Sequence, residues 1–188
     1  VLAWRTMPMD SISQALFLAD HGELLKPHHA ARLDEMLWQR NHVDAQRMFD
    51  LVSDADKALA EVRMALQKRE GDVNAMIDAL PASKASDPGL QADRFEWRIR
   101  KGFQDSAKEL ILSQSVSATA LGHPSAWSNR RRALARDEMR NGDPARAYKI
   151  ASRHFLESGS DFADLEWLSG YIALRFLKDP ELALTHFQ

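Results

Sequence analysis

A turn signal followed by an apolar helix recurs in the C-terminal third of this sequence. Gly142-Asp143-Pro144 leads into one such helix, and Asp179-Pro180 leads into another. An aspartate side chain accepts hydrogen bonds from the free N–H groups of a helix start, and proline at the first helical position loses no bond. Glycine before the aspartate is expected to adopt the left-handed conformation that ends the previous helix. The pattern therefore predicts consecutive helices joined by short turns.

Helical spacing also dominates the rest of the chain. Apolar residues recur at intervals of three and four, as in 54–69 and 125–141, and no stretch alternates apolar with polar residues. Turn markers follow one another about 30 to 40 residues apart, which brackets the known periods of helical repeats. We therefore predict an all-α fold, an α-solenoid or superhelix of stacked antiparallel helix pairs, tetratricopeptide-like. Each pair would bury its apolar face against the next pair.

The domain organisation follows from this repeat. We expect residues 1–188 to form one α-superhelical domain that is a fragment of a longer chain, since the sequence begins at Val1 and stops at Gln188 inside a predicted helix. The last complete helices are predicted over 144–157 and 161–177. The serine-rich segment 113–124 is the longest irregular candidate, and we predict a soft hinge there.

Composition excludes several classes of function. The sequence has no cysteine, which rules out disulfides, a thiolate zinc site and a cysteine nucleophile, and which suits an oxidising compartment. No apolar run approaches the ~18 residues that a membrane span requires. The seven histidines form no His-Glu-x-x-His motif, and neither a Gly-x-Ser-x-Gly elbow nor a glycine-rich phosphate loop occurs. We predict no metal, no cofactor and no membrane span.

The middle of the chain is basic although the net charge of the whole is −2. Between residues 94 and 153 there are 13 basic and 6 acidic side chains. One interpretation is a solvated face that pairs with the acidic flanks. The other is a surface for an anionic substrate or a partner. Its candidate residues are Arg130, Arg131, Arg132 and Arg136, with Trp127 beneath a cation from the next turn.

The other tryptophans have two interpretations, a sugar-stacking platform that includes Trp127 or wedges between helix pairs. We expect these tryptophans to lie in the core, because tryptophan is largely buried in most proteins. They are Trp4, Trp38, Trp97 and Trp167. The basic segment lacks interleaved exposed aromatic residues, so we predict no nucleic acid partner.

Several motifs together identify a family resemblance. They are Trp127-x2-Arg130-Arg131, Asn141-Gly142-Asp143-Pro144-x2-Ala147-Tyr148, Gly159-x-Asp161-Phe162-Ala163, Glu166-Trp167-Leu168-x-Gly170, Asp179-Pro180-x2-Ala183 and, upstream, Ala3-Trp4-Arg5 and Arg32-Leu33-Asp34-x2-Leu37-Trp38. This pattern resembles the superhelical region of proteobacterial soluble lytic murein transglycosylases. The likeness covers nearly the whole chain, and its C-terminal half is the more specific part.

The resemblance implies a ring of stacked helix pairs in the periplasm, followed by a separate lysozyme-like domain that would lie beyond residue 188. That domain cleaves the β-1,4 bond between N-acetylmuramic acid and N-acetylglucosamine and leaves a 1,6-anhydro sugar. Its catalytic glutamate precedes a serine in an alanine- and glycine-rich segment that ends in a Gly-Leu-Met-Gln type stretch. Glu157-Ser158 offers the dipeptide without this context. We therefore interpret it as a turn and expect no catalytic residue in this chain.

The sequence thus favours the non-catalytic scaffold of a peptidoglycan lytic transglycosylase, which would position the active domain on murein. The expected partners are peptidoglycan through the parent enzyme, the chain's own catalytic domain, and a protein partner. The alternative is a helical-repeat module for protein–protein interaction with no role in the cell wall, since such solenoids hold peptides or helices in their grooves.

Overall fold

The structure is a computed structural model that describes residues 1–188, and every regular element in it is helical. This confirms the all-α prediction. Contacts divide the chain into two compact units, residues 1–93 and 94–188. The division falls at 93/94 and not at the predicted hinge, 113–124. That segment lies inside the second unit, where a short helix over Ala118–Leu121 buries Leu121.

The first unit consists of short and medium helices. They are α1 (Leu2–Thr6), α2 (Ser11–Leu25), α3 (His29–Trp38), α4 (His42–Gln46), α5 (Asp54–Lys68), α6 (Val73–Asp78) and the start of α7 (Pro88–Arg100). Turns of 3₁₀ helix lie at Lys26–His28, Phe49–Leu51 and Ala82–Lys84. A core of nine buried apolar side chains joins α1 to α5. Its members are Trp4, Leu25, Leu33, Met36, Leu37, Ala45, Met48, Ala60 and Met64.

A fully buried arginine, Arg32, ties the end of α1 to this core. Its Nη1 donates to the carbonyl oxygens of Trp4 at 2.5 Å and Met7 at 2.8 Å. These carbonyls lie at a helix end, where they have no partner within the helix. The guanidinium also stacks over the Trp4 ring at 4.5 Å and approaches the Asp44 carboxylate at 3.5 Å. One side chain therefore holds together α1, α3 and α4.

A second buried arginine, Arg63 on α5, holds two neighbouring helices through their carboxylates. Its Nε lies 2.8 Å from Asp93 on α7, and its Nη1 lies 2.5 Å from Asp34 on α3. The guanidinium also stacks over the Trp38 ring at 5.1 Å. Its other neighbour is Gly89, where a Cβ atom would come within 2.2 Å of Nη1. The glycine therefore leaves the space that the guanidinium occupies.

The second unit continues with longer helices. They are the rest of α7, α8 (Gln104–Gln114), α9 (Ala118–Leu121), α10 (Ser125–Asn141), α11 (Pro144–Ser152), α12 (Ser160–Ile172) and α13 (Pro180–Phe187). Successive helices pack together, α10 on α11, α11 on α12 and α12 on α13. Their buried faces are rich in alanine, including Ala135, Ala147, Ala151 and Ala183. Small side chains allow the helices to approach closely.

Helix boundaries in this unit follow the sequence signals with two exceptions. Residues 125–141 form α10 as predicted. In contrast, α11 ends at Ser152 and not at Glu157, and α12 ends at Ile172 before a single π-helical turn over Ala173–Leu177. After Ser152 the chain is no longer helical, and the N–H of Leu156 donates to Nδ1 of His154 at 3.0 Å.

The two Asp-Pro turns cap their helices as predicted. Asp143 accepts from the N–H of Ala145 and Asp179 from that of Leu182, both at 2.8 Å. The prediction of a left-handed glycine was wrong for Gly142, whose φ is −140°. A Cβ atom at this position would lie 2.8 Å from an oxygen of the buried Glu138 carboxylate, so a larger residue would displace that side chain. In the second turn the left-handed residue is Lys178, with φ 59°.

Two Gly→Ala substitutions test the packing around Arg63. We expect Gly89→Ala to lower the free energy of unfolding by about 1–3 kcal/mol, because the new methyl group displaces a fixed guanidinium. Gly22→Ala in α2 meets no atom within 4 Å. It should raise that free energy by about 0.5–1 kcal/mol, the usual gain in helix propensity. Urea titration of both variants measures the difference, and equal shifts would contradict this account of Gly89.

Candidate functional site

The predicted basic surface centres on α10, and the helix sends its three adjacent arginines to different environments. Arg131 is fully buried, whereas Arg130 and Arg132 are half-buried and Arg136 is exposed. Consecutive residues on a helix point about 100° apart, so neighbours in sequence rarely share a face. We expected all four arginines to lie on the surface, and this prediction was wrong for Arg131.

Arg131 lies inside the second unit, where it caps the end of α11. Its Nη1 donates to the carbonyl oxygen of Ile150 and its Nη2 to Oγ of Ser115, both at 2.7 Å. Ser115 in turn donates to the carbonyl of Ile111 at 2.6 Å. Burial lowers the pKa of Arg131 to about 9, so the group still carries its charge at neutral pH. A cation at the C-terminal end of a helix also complements the helix dipole.

Arg130 is held by a carboxylate on α7. Its Nε and Nη2 donate to the two oxygens of Glu96 at 3.1 and 3.0 Å, which is a two-pronged ion pair. Although partial burial raises the pKa of Glu96, hydrogen bonds from Arg130 and Arg100 hold it below its usual value. The charge of Arg130 is therefore largely neutralised within the unit.

Arg132 is similarly paired, and Arg136 is not. Nη1 of Arg132 lies 2.5 Å from Asp161 and 3.0 Å from Asp164, both at the start of α12. Arg136 is exposed and has no hydrogen bond or ion pair. Of the four arginines, Arg136 alone presents an unpaired charge to solvent. Most of the basic stripe is thus used to join α7, α10 and α12.

Trp127 is a core residue. Its side chain is 0% exposed, and its ring stacks on Phe95 with centroids 4.8 Å apart. The indole N–H donates to the carbonyl of Leu121 at 3.0 Å. The expected cation over this ring is absent, because Phe95 occupies that position and Arg131 points to Ile150. Trp127 therefore does not belong to the exposed surface.

The exposed tryptophan is Trp167, at 54%, which sequence reasoning had assigned to the core. Trp4 is fully buried as expected, and Trp38 and Trp97 are half-buried. The sequence feature that points to this exposed position is the four-residue spacing of Trp167 and Tyr171. An aromatic pair four residues apart lies on one helix face, although the spacing alone does not tell whether that face is covered.

A chain of hydrogen bonds that the sequence did not predict joins α11, α12 and α13. Glu166 accepts from Nε2 of His154 at 2.7 Å and from Nδ1 of His186 at 2.6 Å. Nε2 of His186 in turn lies 2.8 Å from the Tyr148 hydroxyl. Nδ1 of His154 accepts the Leu156 N–H, which assigns the ring proton of His154 to Nε2. All four side chains are therefore satisfied when both histidines are neutral.

This cluster has the parts of a proton relay, but its electrostatics favour a structural role. Burial raises the pKa of Tyr148, which opposes formation of a nucleophilic phenolate. Burial also lowers the pKa of His154, by more than the bond to Glu166 raises it, and the nearby Arg131 acts in the same direction as burial. The cluster therefore joins three helices through hydrogen bonds.

Other candidate chemistry is limited. Glu157 lies in an exposed turn between α11 and α12, without the apolar surroundings that keep a general acid protonated. No group of three histidine, aspartate or glutamate side chains has an arrangement suited to a metal ion. None of the helices combines the length and the apolar composition that a membrane span requires.

No protein-family model matches this sequence, and searches of curated proteins and of solved structures found no match.

Substituting Arg131 should cost far more stability than substituting Arg136. Arg131→Ala leaves a cavity and an unpaired Ile150 carbonyl, so we expect the free energy of unfolding to fall by about 3 kcal/mol or more. Arg136→Ala removes an exposed side chain and should change it by less than about 0.5 kcal/mol. Thermal and urea unfolding provide the measurement. Similar losses in both variants would contradict the capping role of Arg131.

The lowered pKa of His154 predicts that acid destabilises the second unit. The unfolded state binds a proton on this histidine more readily, so the contribution is complete above the unfolded pKa of about 6.5. It is lost as the pH falls from there towards the folded pKa. Urea unfolding between pH 7.5 and 5 should show this decline, and His154→Gln should flatten it. His21→Gln, at an exposed position in the first unit, serves as the control variant.

Proposed function

We propose that this chain is the non-catalytic α-solenoid scaffold of a periplasmic peptidoglycan lytic transglycosylase, which positions an active domain on murein. The observation that carries this proposal is the serial packing of α10, α11, α12 and α13, with Asp-Pro turns before α11 and α13. The same turns belong to the motifs that resemble the superhelical region of that family. Helices that each pack on the next form the kind of platform that a stacked repeat provides.

The position of Glu157 supports a scaffold over an enzyme. A transglycosylase needs one carboxylic acid that stays protonated near neutral pH in an apolar pocket, so that it can donate to the glycosidic oxygen. Glu157 and Ser158 are both exposed. Glu157 therefore lacks the apolar pocket that such an acid requires. Catalysis would therefore reside in the domain expected beyond residue 188.

Attraction to murein would use the cations that internal pairing leaves free. Arg136 and Arg140 are exposed on α10 and have no ion-pair partner. Their charge acts at long range on the anionic stem peptides of murein and weakens with salt, since the Debye length is about 10 Å at 0.1 M. This contribution steers the scaffold towards murein and does not create a specific binding site.

Co-sedimentation with purified murein sacculi tests the proposal. We expect the protein to sediment with sacculi at low salt and to release no 1,6-anhydro muropeptides, as measured by mass spectrometry of the supernatant. Arg136→Glu should reduce the bound fraction about two- to fivefold at low salt, because it reverses an unpaired charge. Arg5→Glu makes the same change of charge at an exposed site in the first unit and should have a smaller effect.

Two outcomes would count against this function. Release of anhydro muropeptides by the purified chain would contradict a non-catalytic scaffold. No sedimentation at any salt concentration would instead favour the alternative, a helical-repeat module for protein–protein interaction without a role in the cell wall.

A further inference from the structure

An exposed aromatic strip runs along α12 and the π-helical turn that follows it. Trp167 is 54% exposed and stacks on Tyr171, with ring centroids 5.2 Å apart and planes 11° from parallel. Phe176, which is 38% exposed, makes an edge-on contact with Tyr171, and the ring centroids lie 6.0 Å apart. We call these three residues the aromatic strip. Tyr171 lies between the other two rings and fixes their orientation.

The π-helical turn aligns this strip. Trp167 and Tyr171 are four residues apart, as neighbours on an α-helix face are. A continuing α-helix would place Arg175 next on that face. The wider turn over Ala173–Leu177 instead brings Phe176, five residues after Tyr171, into ring contact. Single π-helical turns are rare and occur frequently at functional sites.

A large aromatic ring that is exposed to solvent does not gain the free energy that burial in the core would provide. Large apolar groups on the surface of a monomer mark interaction sites when they are contiguous, whereas single ones are ordinary. Because Tyr171 already fixes the indole of Trp167, this side chain loses little conformational entropy when a ligand stacks on it. The strip is therefore preorganised for a flat, partly apolar ligand.

The charges around the strip select the chemistry of that ligand. Arg175 and Lys178 flank Phe176 in sequence, and both are exposed without an ion-pair partner. At the other end, Asp164 lies one turn before Trp167 with its side chain 59% exposed, and Arg132 holds it in place. A fixed carboxylate beside an exposed ring suits hydroxyl groups, and the two free cations complement a carboxylate.

The wider surroundings argue against a densely charged partner. Residues 154–188 contain six acidic and only two basic side chains. A nucleic acid or an anionic membrane requires many cations on one face. A glycan with one carboxylate on every second sugar needs only a few. Its pyranose rings also offer a flat C–H face for an indole and a rim of hydroxyl groups.

We propose that the aromatic strip binds a carboxylate-bearing amino-sugar glycan, with a sugar ring on Trp167 and the carboxylate at Arg175 and Lys178. This inference rests on the proposed function, because murein would then be the glycan. It adds a specific contact to the long-range attraction described above. It also assigns that contact to α12 and the π-helical turn, away from the basic residues of α10.

Isothermal titration calorimetry with defined probes tests the site. The probes are peptide-free murein glycan strands with free lactyl carboxylates, and chitin oligosaccharides of equal length that lack them. Trp167→Ala should weaken binding of both probes about tenfold, since it removes the stacking surface. Trp167→Phe should retain part of the affinity. Phe103→Ala is the matched control, because Phe103 is an equally exposed aromatic residue of the second unit at 53%.

The carboxylate contact is tested separately. Replacing Arg175 and Lys178 together by alanine should weaken only the murein strands, about three- to tenfold, and should reduce the salt dependence of their binding. Chitin binding should not change. Circular dichroism at 222 nm would verify that each variant keeps its helices.

The outcomes separate this inference from the proposed function. Binding to sacculi with unchanged glycan affinity in Trp167→Ala would overturn the aromatic strip as a glycan site and leave the scaffold proposal standing. The inference is equally wrong if Trp167→Ala abolishes binding to anionic phospholipid vesicles or to oligodeoxythymidine, or dissociates a dimer, without changing glycan affinity. Failure of the unmodified chain to bind sacculi contradicts the scaffold proposal, while calorimetry with soluble strands still tests the strip.

Discussion

The two units depend on buried guanidinium groups that bind what the helices leave unpaired. Arg32 donates to carbonyl groups at the end of α1, and Arg131 does the same for α11. Short helices have a high proportion of unpaired terminal groups, and each buried one costs free energy unless it finds a partner. An arginine can reach such a carbonyl from the adjacent helix while its methylene stem packs in the core. This device allows helices as short as α1 to be buried at one end.

Burying an arginine side chain also buries its positive charge. The groups that stabilise this charge differ from one site to the next. Arg63 has two carboxylates and an aromatic ring, Arg32 has a ring and a more distant carboxylate, and Arg131 has only neutral oxygens. That is why burial shifts the pKa of Arg131 so far. Ion pairs further out, such as Arg130 with Glu96, join helices at their rims and are exposed to solvent screening.

Sequence patterns predicted the helices but not the directions of their side chains. The Asp-Pro signals place the starts of α11 and α13, because capping is a local interaction between an aspartate and the next few N–H groups. The roles of Arg131 and Trp127 depend on α7, α8 and α11, which are distant in sequence. A run of three arginines looks like a surface feature, although a helix turns one of them inward. Likewise, the Glu138 side chain occupies the space that Gly142 leaves, which the sequence does not indicate.

The difference between side chains that are used inside the fold and those that stay exposed also indicates where a ligand can bind. Charges on α10 that look available in the sequence are mostly paired with α7 and α12, so they stabilise the fold and contribute little to binding. What remains on the surface is an aromatic strip that the helix pattern alone would bury. A departure from regular α-helical spacing, one π-helical turn, places Phe176 in that strip, and the exposed Arg175 and Lys178 lie next to Phe176 in the sequence. Residues that no internal contact uses are therefore the better guide to partners than residues that are merely charged.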